Sequence, residues 1–239
     1  MVSAADAQQL RSAQQGIGRL VRRDLSAFWA TLDLNRPEAA RDALVAFVPE
    51  LTSTYGESAA SVAADWYDEQ RAAAGVRGRY RAQPAAVAEA TRVQRRVRFG
   101  AQHLFTLDPS QTLTFLLSAA PTYALAPGRD TIRNNSLRDP RSAGWKRVTR
   151  PGACAFCQML AGRGGVYKEE TAHFASHDDC NCAAVPSWDP NAEEVDVDQY
   201  VASARMEGLR QAAARGNEDA QHQLDEHRAG IRAFMQPYE

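Results

Sequence analysis

All four cysteines of the chain lie within 29 residues, and two of its five histidines lie among them. The string is Cys154-Ala-Phe-Cys157, then nineteen residues, then His177-Asp-Asp-Cys180-Asn-Cys182. Two thiolates separated by two residues can face one ion from a tight turn. A second clip, His-x2-Cys or His-x4-Cys, can close the tetrahedron from a loop further along. Zinc accepts this mixture of thiolate and imidazole. Five donors, Cys154, Cys157, His177, Cys180 and Cys182, compete for four positions. The preferred set is Cys154, Cys157, His177 and Cys182. Cys180 stands close behind, because residues two apart on a strand point to the same side. Four protein ligands leave no open position, so the zinc expected here is structural. His173 is expected to be a surface or packing residue. Inert buried thiols or a disulfide pair are the competing uses of these cysteines. Met1–Leu10 lacks the basic and apolar regions of a signal peptide, which predicts a reducing cytoplasm and favours metal ligation over disulfides.

Enzymatic uses of the same residues fit less well. A zinc deaminase needs His-x-Glu ahead of its cysteine pair, whereas His103 is followed by Leu104 and Phe105. Cysteines committed to a metal cannot act as nucleophiles beside His173 or His177. His173-x3-His177 lacks the glutamate of a zinc protease, and neither a phosphate loop nor Gly-x-Ser-x-Gly occurs. The expectation is therefore a protein that is not an enzyme. The alternative of a different class is a zinc-containing nuclease, using His173 or His177 on a phosphodiester, or a DNA-binding regulator.

The elements that would carry this string are mainly helical. Leu10, Ile17, Val21, Leu25, Phe28 and Leu32 recur at helical spacing and predict a long first helix. Pro37 fits the start of a second, with Pro49 a possible bend. Val62 and Trp66 mark a third that ends near Gly75. Pro84 opens a fourth, with Val93, Val97, Ala101 and Leu104 on one face. Asp108-Pro109 looks like a cap and first residue of a helix running toward Pro121, followed by a short helix over 130–138. The texture changes after Pro140. Residues 144–150 alternate as a strand would, and Val166-Tyr167 and 183–185 are further β-type pieces. From Asp196 the helical pattern returns, with Val201, Met206 and Leu209 near one face and a weaker continuation through Leu224 and Ile231. The predicted organisation is a helical region over 1–126, a linker and Cys/His zinc module over 127–190, of α+β type, and a helical tail over 191–239. A small glycine-rich module has a thin core, and a metal staple supplies what that core lacks.

Charge is balanced overall but not along the chain. Residues 1–150 hold 21 Lys/Arg and 14 Asp/Glu, whereas 151–239 hold 7 and 15. Arg77, Arg79 and Arg81 sit in a glycine-containing linker, and Arg92, Arg95 and Arg96 lie opposite Val93 and Val97 on a helix. These six are candidates for a DNA-facing surface. A solvated face, or a seat for an acidic protein, is the plainer use of the same charges. No apolar run approaches the ~20 residues of a membrane span.

The block RVTRPGACAFCQMLAGRGGVYKEETAHFASHDDCNCAAVP, Arg147 to Pro186, resembles the Mu F-like minor head proteins of tailed bacteriophages, in the form found in phages of actinobacteria. The shared pattern is Cys-x2-Cys, an apolar-glycine stretch, an aromatic near Tyr167, then His-x2-Cys-x-Cys leading into a strand. Asn181 stands where an arginine often separates the last two cysteines. The resemblance covers about 40 residues closely, and residues 1–126 only in general texture. It implies a structural minor capsid protein, present in multiple copies per virion inside the head near the portal or inner capsid surface. During assembly it would be in the host cytoplasm. Its implied partners are the portal protein, the major capsid protein or both, with packaged DNA a further contact and no membrane. The role implied is to assist head assembly, DNA packaging or ejection. Some relatives are fused to a maturation protease or a toxin, but this sequence carries no catalytic signature for either.

Overall fold

The computed structural model describes residues 2–150, 152–153, 155–162, 165–168, 174, 180, 182–195, 209 and 211–235. The chain is mainly helical with a small sheet, as expected. Helix α1 spans Ala4–Trp29 and opens on a capping box: Ser3 Oγ accepts the Asp6 N–H at 3.1 Å, and the Asp6 carboxylate accepts the Ser3 N–H at 3.1 Å. Its buried stripe contains Leu10, Val21 and Leu25.

Helix α2 spans Pro37–Ala73 without interruption. The second and third helices expected from the sequence are thus one, with Pro49 inside it. Helix α4, Ser110–Arg138, likewise runs through both Pro121 and Pro127. The expected stop at Pro121 and the separate helix over 130–138 are replaced by a single element. The reason is visible at Pro121. A proline has no N–H for the carbonyl four residues earlier, and Arg22 Nε donates to that carbonyl, Leu117 O, at 3.1 Å. Asp108 lies one residue before the N-cap, which is Pro109 rather than Asp108 as expected, and accepts the N–H of the first helical residue, Ser110, at 3.2 Å.

Helix α3, Ala90–Gly100, starts later than Pro84 suggested and leads into a 3-10 turn at Ala101–Phe105. The preceding stretch is kept extended because its backbone donors are already engaged. The N–H groups of Ala82, Gln83 and Ala85 donate to Asp68 Oδ1, Asn135 Oδ1 and Thr131 Oγ1, each at 2.9 Å. A residue before proline also disfavours helical backbone angles.

α2 and α4 approach closely through small residues. A Cβ on Gly128 would lie 2.9 Å from the Ala59 carbonyl oxygen. Gly128→Ala is therefore expected to force the helices apart and lower stability by about 1–3 kcal/mol. Urea unfolding measures this, and an unchanged midpoint would contradict the packing.

The sheet pairs β1, Gly144–Val148, with β2, Ala183–Ser187, antiparallel, with Trp145 opposite Pro186. Trp145 exchanges its backbone hydrogen bonds with Tyr167 on its other side, at 3.1 and 2.7 Å. Pro186 thus faces a non-hydrogen-bonded position, where its missing N–H costs nothing. Gly144, at φ +126°, could not carry a Cβ, which would meet Tyr167 O at 2.5 Å. Helix α5, Ala155–Ala161, follows β1.

Two apolar clusters fill the molecule. One lies among α1, α2, α3 and α4 around Val21, Leu44, Val97 and Leu116. The other joins helical residues Leu10, Tyr67 and Ile132 to Trp145, Tyr167, Cys157, Cys182 and the β2 residues Ala183, Ala184 and Val185. The cysteine-bearing segment thus shares its core with the helices. α4 runs without a break from Ser110 to Arg138. Helix α6, Glu218–Met235, belongs to the tail. Asn217 caps it through Ala220 N–H at 2.9 Å, and Ala220 and Leu224 are buried. Val201 and Met206 lie outside the described residues.

Candidate metal centre

Three of the five sequence candidates come together. The sulfurs of Cys157, Cys180 and Cys182 all lie within 4.8 Å of one another, and all three residues are buried. Cys157 is carried by α5, while Cys180 and Cys182 immediately precede β2. Cys154 and His177 lie outside the described residues, as do His173 and Asn181.

The separation of Cys157 Sγ and Cys180 Sγ is 3.7 Å. Sulfurs about 2.3 Å from a shared tetrahedral ion would stand about 3.8 Å apart. Cys157, Cys180 and Cys182 are 1%, 5% and 2% exposed, so the pocket they form is dry. Three buried sulfurs at this spacing could hold a metal ion.

Their electrostatics is collective. The Cys180 sulfur is held well below the ordinary thiol range by hydrogen bonds from Cys157 and Cys182. Cys157 is pushed up, first by its hydrogen bond with Cys180 and then by Cys182 and burial. The cluster thus favours negative charge concentrated on a sulfur in its interior.

Two arginines close around the sulfurs, and spacing arguments gave no hint of either. Arg129, from α4, is 2% exposed. Its Nε donates to Cys182 O at 3.3 Å, and its Nη2 donates to Cys180 O. Arg147, from β1, is 5% exposed and places Nη1 4.0 Å from Cys157 Sγ. The ring of Phe174 receives both guanidiniums, with Arg147 at 3.8 Å and Arg129 at 5.2 Å from its centroid. Phe174 also lies 5.8 Å from the Trp145 ring, and Trp145 stacks on Tyr167 at 4.5 Å. These aromatic and cation–π contacts hold Phe174, six residues before Cys180, on the connection between Cys157 and Cys180.

The six DNA-facing candidates divide differently. Arg77, Arg79, Arg81, Arg92 and Arg95 are exposed. The first three alternate with Tyr80 and Ala82, which point inward along the extended stretch. Arg96 is half-buried, its guanidinium 4.4 Å from the Phe115 ring centroid. Arg71, Arg129 and Arg147, which also count toward the positive charge of residues 1–150, are interior and belong to no surface.

The model of the family described as VG15 protein matches residues 1–229. The chain belongs to that family. VG15 is a family of viral gene products, and this is accordingly a phage protein. The match runs through the helical region, the cysteine segment and most of α6, so all three belong to one family unit. No curated protein and no solved structure matches the chain. Among the described residues no helix is long and apolar enough to cross a membrane.

Proposed function

We propose that this protein is a structural minor head protein of a tailed phage, of Mu F-like type, in which a zinc ion staples the cysteine segment. The observation that carries the proposal is the cysteine block itself. Its Cys-x2-Cys … His-x2-Cys-x-Cys pattern occurs in a chain of a phage family, and its described cysteines converge in a dry pocket. Such a pocket suits a metal that holds chain segments together, because a catalytic metal needs an open position for substrate. Zinc matches the thiolate-rich donor set and the sulfur spacing.

The exposed arginines between α2 and α3, and those on the outer side of α3, support a contact with packaged DNA or with an acidic face of the portal or capsid protein. The role that follows is to bind between the head's protein shell or portal and its contents, assisting assembly, packaging or ejection. Mass spectrometry of purified virions tests this directly. The protein should be recovered from particles in multiple copies. Its consistent absence from particles, with presence in infected-cell extract, would overturn the structural role in favour of a nuclease or regulator.

A further inference from the structure

Arg129 is a cation with almost no access to water. It makes its hydrogen bonds to two carbonyls, Cys180 O and Cys182 O. Its Nη1 has no hydrogen-bond partner among the described residues. No described carboxylate pairs with it. A buried cation without a carboxylate is costly unless some other negative charge stands nearby. The negative charge that acts on it is that of the cysteine sulfurs, and this side chain grips the backbone carbonyls of two of those cysteines.

We propose that Arg129 is a counter-ion and positioning residue of the metal centre. Three thiolates around a divalent ion carry one net negative charge, and the guanidinium of Arg129, together with that of Arg147 beside Cys157 Sγ, sets positive charge against it inside the pocket. The same side chain, by donating to Cys180 O and Cys182 O, fixes the stretch on which both sulfurs are presented. It joins the centre to α4, so ion binding and helix packing are coupled through one residue. The proposal rests on the metal-centre reading above, and the test separates the two.

The full-length reduced protein, stripped of metal with chelator, is titrated with Co2+ and with Zn2+ in competition with a chelator of known affinity. The wild type, Arg129→Lys and Arg129→Gln are compared. Each is also melted with and without metal. Arg129→Gln keeps hydrogen-bonding capacity but loses the charge, and should bind roughly 10- to 100-fold more weakly. Arg129→Lys keeps the charge and should bind close to wild type. The rise in melting temperature on adding metal should shrink in Arg129→Gln and persist in Arg129→Lys. A purely structural role would lower both melting temperatures together and leave that rise unchanged. Wild-type affinity in Arg129→Gln, or equal weakening in the lysine variant, would overturn the proposal while leaving the metal centre intact. If Arg129→Gln does not fold, the lysine variant decides: a lost metal-dependent rise overturns the proposal, and a preserved one supports it. Failure of the wild type to develop sulfur-to-cobalt charge-transfer absorption would overturn both readings.

Discussion

Cys157→Ser is expected to remove most of the bound zinc and to lower the melting temperature of the whole chain. The size of the effect follows from what a structural ion contributes. Binding free energies are on the order of 10–16 kcal/mol for structural zinc in small domains at neutral pH, and they count as folding free energy when the site forms only on folding. Cys157 is one of the three clustered sulfurs and is 1% exposed, so a serine there replaces a soft ligand with a hydroxyl in a dry pocket. The loss should not be confined to the cysteine segment. Its core is continuous with Leu10 of α1, Tyr67 of α2 and Ile132 of α4, so helical signal and segment should melt together. Protein made in a reducing cytoplasm should contain about one zinc per chain, and chelation should reproduce the variant's melting curve. Full zinc content and an unchanged melting temperature in Cys157→Ser would refute the centre.

The second large effect is expected at Asp139. This residue sits at the C-terminal end of α4 with its side chain wholly buried. Arg71 Nε donates to its carboxylate at 2.8 Å, Tyr67 Oη and Trp188 Nε1 each at 3.2 Å, and the Arg141 N–H at 3.1 Å. One carboxylate therefore joins α2, the end of α4, the entry to β1 and the residue after β2. Asp139→Ala leaves the Arg71 guanidinium buried and unpaired, which costs about 3–5 kcal/mol. Replacing both partners by apolar residues of similar volume should cost less than this single change. Denaturant unfolding distinguishes these outcomes, and a wild-type midpoint for Asp139→Ala would exclude the role.

The pH dependence has a definite sign. Burial acts to raise the Asp139 carboxyl, but hydrogen bonds from Arg71, Arg141 N–H and Trp188, with the Arg71 charge, outweigh it and hold it below the ordinary carboxylate value. A carboxylate depressed in the folded state contributes stability that is full above its unfolded value, about 3.9. That contribution is lost as pH falls through the lower folded value. The wild type should lose this increment in acid, and an Asp139→Asn protein should show a flatter acid limb.

Much of the helical architecture was legible because it rests on local periodicity. The apolar stripe of α1, the proline at the start of α2 and the turn at Asp108 all act over a few residues. Pro49 reads as a bend and Pro121 as a stop, as each would be in a solvated helix. In the packed helix α4, Pro121 is accommodated because a tertiary contact compensates: Arg22 donates to the freed carbonyl, Leu117 O. The extended stretch before α3 escaped the helical pattern because side chains from α2 and α4 occupy its backbone donors.

The sequence by itself determined which residues could ligate a metal, since the spacing of two thiols across a turn is a local property. It also determined that the cysteines lead into a strand. That Cys180 and Cys182 both present sulfurs to the pocket of Cys157 was decided by tertiary packing, because it depends on how α5 and β2 both pack against β1. Only the tertiary structure, too, turned Arg71, Arg129 and Arg147 inward. A count of charges along a chain treats every arginine as solvated, whereas burial with a carboxylate, a carbonyl pair or a thiolate makes an arginine part of the interior.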